Sequence, residues 1–113
     1  MVKPEEYTPA KGDIVWIDFN PQRGHEQRGR RPALVVSHKS YNEKIGLALF
    51  CPITSKVKGY PFEVAVDGGN VSGCVLSDQV KSLDWRIRRI EFIEEFGEHP
   101  TEQVIQKIAA MIM

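Results

Sequence analysis

The sequence has no glycine-rich turn ending in Gly-Lys-Ser or Gly-Lys-Thr at a helix start, which speaks against nucleotide binding of the P-loop kind. It has only two cysteines, Cys51 and Cys74, and neither they nor His25, His38 and His99 fall in the close pairs that zinc sites require. Convergent carboxylates for a two-metal centre are missing as well, so the expected complement of metals and cofactors is none. No apolar run is long enough to span a bilayer, and Met1-Val2-Lys3-Pro4-Glu5-Glu6 carries no signal-peptide core. The expectation is a cytoplasmic protein without membrane contact. In that compartment Cys51 and Cys74, which lie in apolar runs, are expected as buried free thiols, with a disulfide between them open but not indicated. Net charge is also absent: 15 basic side chains cancel 15 acidic ones, so the chain is no polycation that coats any nucleic acid.

What the chain does have is local asymmetry. Arg23, Arg28, Arg30 and Arg31, with His25 and Glu26, crowd the stretch from Asn20 to Pro32, which is punctuated by Gly24 and Gly29 and contains no hydrophobic side chain. A loop framed in this way displays its side chains rather than packing them. The plain alternative is a solubilising turn. Lys81, Arg86, Arg88 and Arg89 form a second basic group, whereas Glu91, Glu94, Glu95, Glu98 and Glu102 make the last third acidic. A positive patch on a neutral molecule suits a selective phosphate site better than nonspecific coating.

At 113 residues, with 42% hydrophobic and 27% charged, the chain is expected to form one domain, 1–113, around one core. The runs 13–19 and 33–37 are β-rich and flank the basic loop. A polar stretch, 38–46, separates them from the apolar run 47–53, and a turn through 55–61 follows. Residues 62–66 alternate as a half-buried strand does, 74–80 read as a further strand, and 87–96 contain one more. After Pro100 the period changes, with Val104, Ile105, Ile108, Met111 and Ile112 at helical spacing. Short strands at this spacing followed by one amphipathic helix predict a mainly β domain, a small barrel or tightly twisted sheet with a C-terminal helix. That helix is expected to pack on the barrel, with a share in a dimer interface as the sharper alternative.

Metal-free RNA cleavage needs a group to take the 2′-hydroxyl proton, a group to protonate the departing 5′-oxygen, and donors around the charged phosphorane. Glu26, His25 and Arg31 are the candidates for these roles. Arginine offers a fixed fork matched to phosphate oxygens and is a poor proton shuttle, whereas histidine titrates near neutrality.

Gly12-Asp13-Ile14-Val15-Trp16, Asp18-Phe19-Asn20-Pro21, Gly24-His25-Glu26-Gln27, Arg31-Pro32-Ala33-Leu34-Val35-Val36-Ser37, Pro52-Ile53-Thr54-Ser55 and Asp78-Gln79-Val80-Lys81-Ser82-Leu83-Asp84 occur in this order. In these motifs and their spacing the chain resembles the MazF/PemK family of toxin endoribonucleases from bacterial toxin–antitoxin pairs, and the likeness weakens only after Trp85. The resemblance implies an SH3-like barrel of the CcdB/PemK type, paired as a homodimer with single-stranded RNA in a groove built by both subunits. It also implies metal-independent, sequence-specific cleavage through the 2′-hydroxyl, leaving a 2′,3′-cyclic phosphate and a 5′-hydroxyl. Such cleavage of mRNA halts translation and growth until a cognate MazE-like antitoxin, with a flexible acidic tail, neutralises the toxin. By similarity Arg31, Thr54 and Glu26 are the catalytic set. The RNA-contacting set is His25, Gln27, Arg28, Arg30, Lys56, Asp78 and Gln79. Some plasmid-borne relatives carry an arginine two positions before the Asp-Gln pair, where this chain has Leu76, so its catalytic cation falls to Arg31. The division of proton transfers stays open, as do the cut sequence and the antitoxin. A non-catalytic binding module on the same fold, gyrase-directed for example, is the alternative, since fold does not dictate function. Trp85 reads as core, and Tyr60 and Phe62 are ambiguous between core and base stacking.

Overall fold

A computed structural model describes residues 7–19, 29–67 and 69–113. Its strands are β1 (Asp13–Asp18), β2 (Arg30–Val35), β3 (Leu47–Thr54), β4 (Glu63–Val66), β5 (Gly73–Leu76), β6 (Lys81–Asp84) and β7 (Glu91–Glu95). The helices are α1 (Lys39–Ile45) and α2 (Glu98–Ile112). The strands form one antiparallel sheet in the order β4-β5-β3-β2-β1-β7, with β6 added on β3. The mainly β half-barrel with its C-terminal helix agrees with the expected fold class.

β3 organises this sheet. Along one edge its first half, Leu47 to Phe50, pairs with β6, and its last two residues, Ile53 and Thr54, pair with β5. The other edge pairs with β2. Strand alternation then fills both sides of the sheet. Ile14, Leu34, Cys51, Ile53, Val64 and Val75 build one buried cluster, on which Val104, Ile105 and Ile108 of α2 pack. Val15, Ile17, Phe19, Ala33, Val35, Phe50 and Trp85 build the other. Packing of α2 on the sheet is therefore observed, while Met111 and Ile112 at its end stay exposed. Trp85 is core, its indole N–H donating to the Asn42 carbonyl at 3.1 Å.

Three boundaries differ from the sequence reading. β2 begins at Arg30, so Arg30, Arg31 and Pro32 belong to a strand rather than to the loop. The run 74–80 divides into β5 and a 3-10 turn, Ser77–Gln79, after which β6 forms. The polar stretch 38–46 contains α1, closed by Gly46 in the left-handed region at φ 82°. No apolar stripe announces α1 because Tyr41 and Ile45 face solvent and its buried residue is polar.

That residue, Asn42, is fully buried and uses its whole amide. Its Nδ2 donates to the carbonyls of Pro9 at 2.8 Å and Ser37 at 3.2 Å, and its Oδ1 accepts from the Ser37 hydroxyl at 2.6 Å. Replacement by alanine orphans these partners without access to water. Asn42→Ala is expected to destabilise the fold by about 2–4 kcal/mol in urea unfolding.

Candidate active site

The antiparallel register of β2 and β3 assembles the site. Ala33 pairs with Pro52 and Leu34 with Cys51, and the same register carried outward sets Arg31 opposite Thr54. Both side chains line a cleft of ≈ 590 Å³ together with Ser55, Lys56, Lys58, Tyr60, Glu63, Leu76 and Gln79. Four residues singled out from sequence, Arg31, Thr54, Lys56 and Gln79, thus share one concavity. Asp78 reaches it through Tyr60, whose hydroxyl donates to Asp78 Oδ1 at 2.7 Å. Burial first, and then this carboxylate, push the Tyr60 phenol above its ordinary range, so it stays protonated and donating.

Thr54 is 8% exposed, and its Oγ1 accepts the backbone N–H of Lys56 at 3.1 Å. The hydroxyl hydrogen is therefore left to donate, and no acceptor takes it among the described residues. Arg31 contributes a permanent fork of donors from the neighbouring strand. An arginine, a donating hydroxyl and the exposed Lys56 and Lys58 make a cleft suited to an anion with several oxygens.

A second cleft, of ≈ 490 Å³, lies between the start of β1 and the start of α2 and is lined by Asp13, Glu95, Glu98 and Glu102 among others. Its acidic wall repels phosphate, as does the Asp67, Glu94 and Glu95 wall of a third cleft, whereas the Arg31 cleft offers cations and is the candidate site.

Arg30 is not brought to that cleft. As the strand neighbour of Arg31 its side chain leaves the opposite face of β2, where it binds Asp18 at 3.3 Å and Glu91 at 2.9 Å. Arg89 joins the same cluster, its Nε 2.9 Å from Asp18, and Arg88 donates to the Asp18 carbonyl at 3.0 Å. Much of the second basic group is thus occupied in tying β1 to the segment before β7. Arg89, followed by Arg30, holds the Asp18 carboxyl below its ordinary range. A depressed folded pKa contributes stability that is present above the unfolded value near 3.9 and fades as pH falls through the folded one. Asp18→Asn should therefore cost about 0.5–1 kcal/mol at neutral pH, and that difference from the parent should shrink in thermal melts as pH falls below the unfolded value near 3.9.

His25, Glu26, Gln27 and Arg28 lie outside the described residues. Cys51 and Cys74 are free and buried, as expected. Burial, aided by the Asp78 charge, pushes the Cys51 thiol up to about 12, and burial with Glu63 pushes Cys74 up to about 11. Neither is a nucleophile at neutral pH. Among the described residues no three His, Cys, Asp or Glu side chains are grouped to hold a metal ion, and no helix is long and apolar enough to cross a membrane. Sequence reasoning did not single out Glu63 in the cleft wall. Its only signal was its place as the second residue of the alternating run 62–66 that follows the Gly59-Tyr60-Pro61 turn.

Comparison with known proteins converges on one group. Residues 10–112 match the family of PemK-like, MazF-like toxins of type II toxin–antitoxin systems. The endoribonuclease toxin MazF of Escherichia coli K12 is 51% identical over 82 residues, covering 73% of this chain and 74% of that protein. The crystal structure of MazF (Form-I) from Deinococcus radiodurans superposes with a TM-score of 0.90 at 48% identity, covering 94% of this chain and 97% of that one. A MazE–MazF structure (Form-II) from the same organism gives 0.84 at 48% identity, with 94% and 96% covered.

Proposed function

The chain belongs to the family of PemK-like, MazF-like toxins of type II toxin–antitoxin systems, and from that membership we propose that the Arg31–Thr54 cleft is where it cuts single-stranded RNA. Its activity is that of an endoribonuclease, the activity its relatives are named for. The observation that carries the assignment of the cleft is the meeting of Arg31 and Thr54 from adjacent strands with Lys56 and Gln79 around them.

The reaction uses protein groups alone. The 2′-oxygen attacks phosphorus as its proton passes to a base, the P–O5′ bond breaks, and the 5′-oxygen takes up a proton. A 2′,3′-cyclic phosphate and a 5′-hydroxyl result. Arg31 clamps the non-bridging oxygens, where charge develops, and Thr54 donates a further hydrogen bond to them or orients the guanidinium. Glu26 accepts the 2′-hydroxyl proton or fixes the loop that carries it. Lys56 contacts flanking phosphates, and Gln79, Asp78, His25, Gln27 and Arg28 meet bases or backbone and give the cut its sequence preference. Arg30, tied to Asp18 and Glu91 on the other face of its strand, is left out of this RNA-contacting set.

The working unit is a cytoplasmic homodimer, a reading supported by exposed apolar side chains such as Trp16, Ile87 and Phe92. The neutralising partner is a MazE-like antitoxin whose flexible acidic tail covers the positive cleft. MazE–MazF complexes of a similar toxin support that partner.

The test is incubation with long unstructured RNA in excess chelator, mapping the cuts and identifying both end groups. Recurrent cuts at one short motif with cyclic-phosphate ends are expected. Intact RNA from folded, antitoxin-free protein would contradict the reading and favour a binding toxin.

A further inference from the structure

A carboxylate in the wall of a phosphate-binding cleft calls for a physical reason, because its bare charge opposes the substrate. Glu63 is such a carboxylate, lining the cleft that holds Arg31 and Thr54. Both its oxygens are engaged: Oε2 accepts the backbone N–H of Lys58 at 2.9 Å and Oε1 that of Gly59 at 2.7 Å. Gly59 lies at φ +85°, and this left-handed turn brings the two successive N–H groups onto one carboxylate.

The loop held in this way carries the cleft's lysines. It leaves β3 at Thr54, where the Thr54 hydroxyl fixes the backbone at Lys56, and it returns to β4 through the Tyr60 carbonyl, which accepts the Glu63 N–H at 3.2 Å. Between these anchors Lys56 and Lys58 are exposed, and only Glu63 ties down the turn at 58–59 by a side chain among the described residues. We propose that Glu63 is a positioning residue for RNA, pinning the 55–60 loop so that Lys56 and Lys58 stand over the Arg31–Thr54 pair. This rests on the cleft being the RNA site. The Lys58 and Gly59 N–H groups also hold the Glu63 carboxyl below its ordinary range, so it is a weak base and no rival to Glu26 for the 2′-hydroxyl proton.

Opposite signs separate pinning from a simple field effect. Glu63→Gln removes a negative charge from a polyanion site, so the field alone predicts tighter RNA binding. Pinning predicts the reverse, because a glutamine offers one acceptor oxygen to two N–H groups. Glu63→Asp keeps the charge but shortens the reach: the field predicts no change, and pinning predicts a loss.

The experiment measures kcat and KM on a short fluorogenic RNA for the parent and both variants. It also measures Kd for the same oligonucleotide with a 2′-deoxy block at the cut, and amide exchange at Lys58 and Gly59. Urea midpoints confirm that each variant is folded. KM and Kd should rise roughly 5- to 10-fold in both variants, kcat should change less than about 2-fold, and the two amides should exchange faster. Unchanged or tighter binding by Glu63→Gln, or parental behaviour of Glu63→Asp, would overturn the inference. If the parent binds the blocked RNA but cleaves nothing, the cleavage reading fails while the Kd comparison still decides the role of Glu63. A parent that neither binds nor cuts removes both.

Discussion

Arg31→Ala is expected to lower kcat/KM for RNA cleavage by about 10³-fold while leaving the protein folded. The guanidinium supplies the donors aimed at the charge that develops on phosphorus, and removing one such donor in comparable sites costs roughly 10²–10³ in rate. Loss of a permanent positive charge from a phosphate site weakens binding as well. Arg31 is half-buried at the start of β2, outside both apolar clusters, and its backbone pairing with Ile17 survives truncation. Arg31→Lys restores the charge without the planar fork, so it should recover binding more than turnover. Single-turnover cleavage of a short RNA, alongside circular dichroism, checks this. Retention of more than about a tenth of parental kcat/KM by Arg31→Ala would move the catalytic cation elsewhere.

Gly73→Ala is expected to destabilise the fold by about 3–5 kcal/mol and to take cleavage down with it. Gly73 lies at φ +132°, a backbone conformation that residues with a Cβ rarely adopt. A Cβ there would collide with the Thr54 carbonyl oxygen and lie 3.0 Å from Ser55 Cα. These are backbone atoms, so no side chain can swing aside to make room. The collision falls where β5 meets the end of β3, since Cys74 pairs with Thr54 and Gly73 with Val66. Relief by sliding β5 outward opens the β3–β5 edge, and relief by moving β3 displaces Thr54 from Arg31. Urea unfolding measures the first effect, and cleavage well below the urea midpoint measures the second. A Gly73→Ala protein of parental stability would show that this close approach is not fixed.

Continuous apolar runs make β1 and β3 readable in the sequence, alternation does so for β4, and helical period for α2. α1 escapes because its inward residue is Asn42, whose burial depends on Pro9 and Ser37 rather than on hydrophobicity. β6 escapes because four residues after a 3-10 turn are too few to show a period. Arg31, Thr54, Lys56 and Gln79 are nameable through their motifs, and their meeting is the register of β2 on β3. Local pattern could not separate Arg30 from Arg31. Once both belong to a strand, the pleat sends them to opposite faces, one to Asp18 and the other to the cleft. Glu63 was hidden for another reason: its bonds go to backbone N–H groups that a side-chain motif does not record.

RNA bound in the Arg31–Thr54 cleft would perturb the backbone amides that line it. The most direct measurement is an amide chemical-shift titration of the protein with a single-stranded RNA blocked by 2′-deoxy at the cut. Shifts are expected to concentrate at Arg31, Thr54, Lys56, Lys58, Tyr60 and Gln79, with the Asp18, Arg30 and Glu91 cluster on the other face of β2 left near its free values. Saturable shifts centred on that cluster or on the acidic cleft of Glu95 and Glu98, with the Arg31–Thr54 cleft silent, would contradict this placement of the RNA.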